Sequence, residues 1–593
     1  MERKDVQEQY KWDLTVIFPS DETWEEEFKA VEKDFAESGL TGFQGKLGEK
    51  TELLGFFRKR DALFRRMEKL YVYANMRHDE DIRISKYTSY TAMMGTLVSK
   101  MMADMAFVEP ELTALSEEKL KSYIADPDFS EYDYMLEKIE KSKAHVLSEG
   151  EEKILALAGD FSDGFHTVFS MLDNANLNLP KGKFNGEEVQ MSHGMYGLVL
   201  HSGTREEREN WFKTYYRAYI NLIDAITQTY YGNVKKDIFY KTARKYGTCM
   251  EMAMDGEDVS PVVYNNLVES VHGALPAMHK YISLRKKILG FDEQHMYDIY
   301  MPLVSDADIK VPFEEAYELV VKGLAPLGED YQALLRRGLD ERWIDVCETE
   351  GKRSGAYSTG VYDTHPYVLL NYQQTTNEIF TIAHEMGHSI HTYKSTAGQP
   401  YAKSEYTIFL AEIASTVNEV LLLKYLYAST EDKQLKKYLL NYYIDMIRTT
   451  LFRQTQFAQF EQIAHAKAEA GEPLTKENLC DAYYKLNEQY YGEGIVHDKE
   501  IAYEWARIPH FYRSFYVYKY STGIISAISI VKRILAEGDK AVKDYFEFLS
   551  GGNSTDPVSI LKKAGVDLTT KAPFETAMKE FGDTLDEFEK LMA

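Results

Sequence analysis

One short stretch, His384-Glu385-Met386-Gly387-His388, has residue types and spacing that could perform hydrolysis. In a helix, two histidines four residues apart lie on one face, so both imidazoles can bind a single metal ion. Glu385 lies beside that face, where a carboxylate can take a proton from a water molecule at the metal. The motif therefore predicts a metal-dependent hydrolase, with zinc as the metal.

The flanking residues favour the helix that this motif needs. Thr375 to Glu378 matches a capping box, in which two side chains bond free backbone N–H groups at a helix start. Apolar residues then recur at helical spacing, at Ile379, Ile382 and Ala383. The alternative, a surface helix with two unrelated histidines, does not require such a capped and amphipathic setting.

A catalytic zinc ion usually has three protein ligands and one water, so the motif lacks a ligand. His391 follows His384 by seven residues, about 10 Å along a helix, which is too far for one ion. We interpret it as a core or supporting residue. The metzincin class would need a glycine three residues after His388 and a histidine three further on. This chain has His391 and Lys394 at those positions, so the metzincin class is excluded.

A second amphipathic helix, predicted from Tyr406 to Tyr427, offers the missing ligand. Its two acids, Glu412 and Glu419, are seven residues apart in an apolar segment and therefore share a face. Buried carboxylates are costly unless they are paired or bind a metal, so this face should meet the histidines. We predict Glu412 as the third ligand and Glu419 as an acid that orients a ligating imidazole. Two solvated glutamates on an exposed face are the alternative.

Val368 to Tyr372 is the strongest strand candidate in the chain. It comes directly before the predicted metal helix, where its exposed edge could hold an extended peptide backbone. An ordinary strand of a small sheet is the alternative, and the sequence does not separate the two.

The segment from Ile508 to Tyr520 is rich in polar aromatic side chains, namely His510, Tyr512, Tyr516, Tyr518 and Tyr520. A core helix rarely needs so many. Attack of water on an amide carbon creates an oxyanion, which a tyrosine hydroxyl or an imidazole N–H can stabilise. Interior packing is an equal alternative for any single tyrosine.

Composition indicates a large, mostly helical protein. The 593 residues contain only 15 prolines and 36 glycines, and segments such as 53–73 and 262–289 have a helical period.

A net charge of −25 repels phosphate backbones, so nucleic acid is excluded as a partner. We find no signal-peptide pattern and no run of eighteen apolar residues, which predicts a cytoplasmic protein without a membrane partner. Three separated cysteines fit inert thiols in a reducing compartment.

Two regions are predicted along the chain. Residues 1–185 form a helical N-terminal region, with helices expected at 23–36, 49–78, 84–107 and 149–169. A β-hairpin between 177 and 192, around Asn185-Gly186, marks the boundary. Residues 186–593 form the catalytic region, where a capping box at Thr204 to Glu207 begins a helical stretch that continues, with interruptions, to about residue 289.

The stretch HEMGHSIH followed by AEIASTVNE resembles the active site of the thimet oligopeptidase family of zinc metallopeptidases, and more closely its oligoendopeptidase F branch. GAYS, LLNY and IPHFYRSFYVYKYSTG match that branch as well, so the resemblance covers essentially the whole chain. It implies a mostly α, two-lobed fold with a deep channel and a small sheet beside the metal helix. Such a channel admits short unstructured peptides and excludes folded proteins.

The resemblance also implies roles for the aromatic segment. A histidine and one or more tyrosines there support the oxyanion; His510 and Tyr518 match best, and Tyr516 or Tyr512 are possible because the spacing is shorter than in the thimet branch. The predicted enzyme is a zinc endopeptidase with one Zn²⁺ held by His384, His388 and Glu412.

Two other functions compete with this prediction. A dipeptidyl carboxypeptidase would need a basic group for the substrate's terminal carboxylate, and Arg513 is a candidate. A non-catalytic peptide-binding protein is disfavoured by the intact Glu385 and by a count of three protein ligands. The sequence leaves the oligomeric state undetermined.

Overall fold

The computed structural model describes residues 1–37, 39–304 and 310–593. Over these residues the protein is mostly helical with two small sheets, which confirms the predicted mostly α class. Among the described residues, no helix is long and apolar enough to cross a membrane.

Helices and strands are numbered along the chain. The first helices are α1 Asp21–Glu37, α2 Lys50–Glu80, α3 Ser85–Asp104, α4 Val108–Ala114, α5 Glu117–Ile124, α6 Asp133–Ser142, α7 Glu149–Ser162, α8 Gly164–Met171, α9 His193–Ser202, α10 Arg205–Ala243, α11 Cys249–Asp255 and α12 Pro261–Leu289. The later helices are α13 Phe313–Gly323, α14 Glu329–Asp340, α15 Thr376–Gly398, α16 Ile408–Ser429, α17 Lys433–Ile447, α18 Arg453–Glu469, α19 Lys476–Tyr491, α20 Tyr518–Glu537, α21 Asp539–Leu549, α22 Pro557–Lys563 and α23 Ala572–Met592. The strands are β1 Lys181–Phe184, β2 Glu187–Gln190, β3 Ile344–Asp345, β4 Tyr357–Thr359 and β5 Tyr367–Leu369.

Two compact units make up the chain, and each is assembled from three stretches. The first unit comprises Met1–Val146, Asp308–Leu426 and Ile530–Val566; the second comprises Leu147–Ala307, Tyr427–Ser529 and Asp567–Ala593. The HExxH motif belongs to the first unit, and the aromatic segment 508–520 belongs to the second. The boundary near residue 185 stays a prediction.

The core of the first unit joins the N-terminal helices to the sheet that precedes α15. Trp24 and Phe57 are fully buried in this core, together with Tyr367 and Leu369 of β5. Trp12 also contacts Tyr367, with ring centroids 6.4 Å apart. Because one apolar cluster contains all of these side chains, the N-terminal helices directly support the elements around the motif.

The strand before α15 is central in its sheet, and its position contradicts one expectation. The strand order is β3-β5-β4, with β5 parallel to β3 and antiparallel to β4. The predicted strand 368–372 is observed at Tyr367–Leu369. Because β5 pairs with a strand on each side, it is not an exposed edge. Within the described part of the chain, β4 is an edge strand of this sheet, and it packs against α15.

Predicted local features of the second unit are mostly confirmed. β1 and β2 form the expected hairpin, and its two turn residues, Asn185 and Gly186, have φ values of 52° and 83°. Thr204 and Glu207 form a reciprocal capping box at the start of α10, a helix of 39 residues. The helix predicted over 149–169 is wrong in one respect, because the chain breaks near Asp163 into α7 and α8.

Candidate metal site and its surroundings

Helix α15 carries the motif and begins where the sequence predicts. The Thr375 side chain accepts a hydrogen bond from the backbone N–H of Glu378. The second half of the expected capping box is absent, because the Glu378 carboxylate accepts from the backbone N–H of Gln373 instead, at 3.0 Å. The helix start is therefore held by two side chains that bond different backbone groups.

A close helix–helix contact brings the second acid-bearing helix to the motif. A Cβ added at Gly387 would lie 2.6 Å from Ser415 Cα and 2.8 Å from the Ala414 carbonyl oxygen, which are impossible contacts. Nearby, Asn418 Nδ2 donates to the Ala383 carbonyl at 2.9 Å. Thus α15 and α16 touch through their backbones, a packing that only glycine at position 387 permits.

The three predicted ligands converge. His384 Nε2 lies 3.2 Å from His388 Nε2, and Glu412 Oε2 lies 3.4 Å and 3.6 Å from the same two nitrogens. Within the described ranges, this is the group of three donors close enough to share a metal ion. Two imidazole nitrogens and one carboxylate oxygen are a donor set typical of catalytic zinc sites, so these residues fit the metal that the motif implies.

Glu419 supports this group from the side. Its Oε1 accepts a hydrogen bond from His384 Nδ1 at 2.6 Å, which directs Nε2 towards the other donors. Burial disfavours a charged imidazole, but the hydrogen bonds to Glu412 and Glu419 outweigh it and raise the pKa of His384 to about 10. The surroundings therefore stabilise positive charge where a metal ion would bind.

Glu385 lies within the first unit at only 8% exposure. Burial raises the pKa of its carboxyl above the ordinary value, although the imidazoles of His384 and His388 oppose this effect. A carboxylate that binds protons more tightly than usual suits a group that accepts a proton during catalysis and then releases it.

His391 is excluded from the metal group, as the sequence predicts. It is fully buried, and its ring stacks on Tyr406 with centroids 3.7 Å apart. Burial lowers the pKa of His391 to about 3, so its imidazole is neutral. It is a core residue.

Two residues in this region escaped the sequence reasoning. Gly387 and Asn418 set the contact between α15 and α16, as described above. A glycine inside a helix was the available signal for Gly387, because it weakens a helix unless a close approach requires it. Asn418 had no comparable signal in the sequence.

The aromatic segment of the second unit divides into exposed and buried side chains. His510 is exposed, while Tyr516 and Tyr520 are partly exposed. Their rings cluster, with His510 6.0 Å from each tyrosine ring and the two tyrosines 5.5 Å apart. Tyr512 and Tyr518 are buried, and Tyr518 packs against Tyr264. The exposed group is therefore better suited to contact a substrate.

Arg513, the candidate for binding a terminal carboxylate, lies over the Tyr516 ring, 4.3 Å from its centroid. In the same unit, both ring nitrogens of His497 form hydrogen bonds, with Asn487 and with the Gly492 carbonyl. The three cysteines are free, and burial raises the pKa of each thiol, which fits the predicted inert role.

Comparison with known proteins identifies the family. The model of peptidase family M3 matches residues 198–580, more than half of the chain. The chain belongs to peptidase family M3. A second model, oligopeptidase F, matches residues 111–178 of this M3 peptidase.

Full-length relatives support the same assignment. Oligopeptidase PepF of Bacillus subtilis is 44% identical over 594 residues, covering 100% of this chain and 88% of the relative. Group B oligopeptidase PepB of Streptococcus agalactiae is 39% identical and covers 100% and 98%. The crystal structure of oligoendopeptidase-F from Enterococcus faecium has a TM-score of 0.74 and 35% identity, covering 96% of this chain and 99% of that one. The predicted metalloendopeptidase of the oligoendopeptidase F type is confirmed.

Proposed function

We propose that this M3 peptidase is a zinc-dependent oligoendopeptidase that cleaves internal bonds of short, unstructured peptides, with one Zn²⁺ per chain. The observation that carries the proposal is the convergence of His384, His388 and Glu412 beside the buried carboxylate of Glu385. The cytoplasmic location and the substrate channel stay predictions.

In the proposed mechanism, His384, His388 and Glu412 would hold the metal. A zinc ion bound there would supply Lewis-acid chemistry and lower the pKa of water towards about 7. Glu385 accepts the proton of the attacking water and then delivers it to the departing amine. Glu419 keeps the His384 ring in one orientation and one tautomer throughout. No covalent acyl-enzyme forms, in contrast to serine or cysteine hydrolysis.

We assign oxyanion support to His510 and Tyr516, with Tyr518 as the less accessible candidate. Partial desolvation of its imidazole and the nearby Arg513 lower the pKa of His510, so a neutral imidazole can donate one N–H at physiological pH. The exposure of His510 and Tyr516 supports this order, whereas the buried hydroxyl of Tyr518 would first have to become accessible.

For the substrate backbone, β4 is the better candidate than β5. An extended peptide can add to an edge strand through main-chain hydrogen bonds. The position of β4 at the edge of its sheet and its packing against α15 support this assignment.

The test is digestion of a mixed library of short peptides by the zinc-loaded protein, with and without a chelator, followed by mass spectrometry. We expect internal cleavage of peptides whose C-terminus is amidated, and its loss on chelation. Cleavage that requires a free C-terminal carboxylate would indicate the exopeptidase instead. Absence of cleavage by the zinc-loaded protein would indicate a peptide-binding protein, and a trapped acyl adduct would contradict the mechanism.

A further inference from the structure

The turn at Phe515 has an unusual backbone. Its φ is 56°, in the left-handed region that side chains with a Cβ rarely adopt. Phe515 lies between a short 3-10 segment, Pro509–Tyr512, and the start of α20. Such a conformation persists only where its surroundings hold it firmly, and such sites cluster where geometry matters for function.

A fully buried carboxyl group from α18, that of Glu461, holds this turn. Glu461 Oε1 accepts a hydrogen bond from the backbone N–H of Phe515 at 2.8 Å, and Glu461 is 0% exposed. The Phe515 ring packs between His465, at 4.7 Å, and Tyr264, at 6.0 Å. Both the backbone and the side chain of this strained residue are therefore fixed by α18 and α12.

Helix α10 holds the same turn from another side. Ser514 Oγ donates to Asp237 Oδ2 at 2.5 Å, and Asn233 Nδ2 donates to the Phe511 carbonyl at 3.3 Å. One turn earlier in α10, Thr229 Oγ1 shares a 2.7 Å hydrogen bond with the Tyr512 hydroxyl. Three turns of α10 thus anchor the residues between His510 and Phe515.

A buried imidazole links the two helices. His465 Nε2 lies 3.1 Å from Asp237 Oδ2, and His465 Nδ1 lies 2.9 Å from the Glu461 carbonyl oxygen. Only the imidazolium can donate from both nitrogens. Burial opposes charge on both groups, but their mutual hydrogen bond outweighs it, so the pKa of His465 is raised and the pKa of Asp237 is lowered, which favours the ionised pair. The side chain of His465 is buried, which strengthens its bond to the carboxylate.

We propose that Glu461, Asp237 and His465 are positioning residues that fix the Phe515 turn and, through it, the orientation of His510 and Tyr516. The inference rests on the proposed function, which assigns oxyanion support to that pair. His510 is five residues before the turn and Tyr516 is its next residue, so a change in the backbone angles of Phe515 moves one relative to the other. These three residues touch neither substrate nor metal in this role.

The test measures kcat and KM of the zinc-loaded full chain on an internally quenched fluorogenic peptide. Glu461→Ala leaves the Phe515 N–H without its acceptor, and we expect kcat to fall by about 10- to 100-fold with a smaller change in KM. Glu461→Gln keeps an acceptor oxygen and should restore most of the activity. Should Glu461→Ala fold poorly, Ser514→Ala removes the bond to Asp237 and serves the same purpose.

The decisive comparison repeats Glu461→Ala, or Ser514→Ala, in a His510→Ala/Tyr516→Phe background. If the network acts through this pair, the further loss of kcat there should be less than about twofold. An equal fold-loss in both backgrounds, or full activity of Glu461→Ala in the otherwise native chain, would overturn the inference. A fully active His510→Ala/Tyr516→Phe variant would instead contradict the roles proposed for that pair. If Glu461→Ala still lowered kcat in that variant, the positioning role would be overturned as well.

Glu469→Ala is the matched control. Glu469 lies on the same helix, and its carboxylate also accepts a backbone hydrogen bond, from the N–H of Cys249 at 2.6 Å. It serves the start of α11 and has no contact with the Phe515 turn among those described. We expect a similar fall in thermal stability with unchanged kcat; a kcat loss equal to that of Glu461→Ala would show that the Glu461 effect is a general loss of stability.

Discussion

Glu385 is a buried carboxylate beside two imidazoles, and its chemistry can be separated from metal binding by changing one atom. Glu385→Gln keeps the size of the side chain but cannot accept a proton, so we expect metal content to stay at the native level while kcat falls by about 10²- to 10⁴-fold. Elemental analysis and peptide hydrolysis measure the two quantities. Glu378→Gln, on the same helix, should remain active; an active Glu385→Gln variant would remove Glu385 as the base.

Glu419 offers a second prediction at the residue scale. Glu419→Ala removes the acceptor of the His384 Nδ1–H and frees the ring to rotate, so zinc affinity should fall by about 10- to 100-fold. Glu412→Ala should weaken binding further, because it removes a donor oxygen. Competition with a fluorescent zinc chelator gives both affinities. Native affinity in Glu419→Ala would show that the hydrogen bond does not organise the site.

At the scale of elements, the contact between α15 and α16 depends on Gly387. Gly387→Ala places a methyl group against the backbone of Ser415, so the helices must separate, and we expect a loss of about 1–3 kcal/mol of stability together with weaker zinc binding. Gly95→Ala, in α3, is the control because its added Cβ meets nothing within 4 Å. That variant should be neutral or more stable by about 0.5–1 kcal/mol. Equal thermal stability of the two variants would contradict the packing argument.

In the second unit, Glu504 joins neighbouring elements through charge. It accepts hydrogen bonds from Arg453 and Tyr483, each at 2.5 Å, and from Arg507 at 2.9 Å. Burial favours the neutral acid, but the two arginines outweigh it and lower the pKa of Glu504 to about 2. Because the pKa of Glu504 is lower in the folded state, its ionised form stabilises the protein at pH values above the unfolded-state pKa of about 4.5. This contribution is lost as the pH falls towards 2.

The corresponding prediction compares thermal unfolding of Glu504→Gln and the native chain from pH 7 to pH 3. The variant should be less stable at pH 7 by about 3 kcal/mol, because two partly buried arginines lose their charged partner. The difference should shrink as the pH falls below about 4.5. Glu477→Gln, at an exposed position of α19, should match the native chain throughout. A difference that is constant with pH would contradict the ionised state of Glu504.

At the scale of the whole molecule, the first unit links distant parts of the chain in one core. Because α2 and β5 share that core and β5 contacts α15, zinc binding should stabilise the N-terminal helices as well. Ligand binding to the folded form adds about 4 kcal/mol at a thousand times the Kd. We expect slower hydrogen exchange in α2 on zinc addition, measured by mass spectrometry, and no such effect in Glu412→Ala. Protection confined to residues 376–420 would contradict the coupling.

The sequence by itself determined the chemistry of the site. The spacing of His384 and His388, the adjacent Glu385 and the acids of the next helix follow from helical periodicity, which local residues encode. The resemblance to the oligoendopeptidase F branch rested on these stretches together with GAYS, LLNY and IPHFYRSFYVYKYSTG. The helices α1, α2 and α3 and the hairpin at Asn185-Gly186 were equally predictable, because caps, turns and apolar spacing act over a few residues.

Only the tertiary structure decided which of these elements meet. Strand β5 is central because β3, distant in sequence, pairs with it, and no local pattern encodes that partner. The exposure of Tyr516 and the burial of Tyr518 likewise depend on neighbours from other helices. The strained turn at Phe515 is held by Glu461, which lies 54 residues earlier in the chain. Local interactions fix an element and its chemistry, whereas long-range packing fixes its surroundings, and those surroundings orient the groups that act.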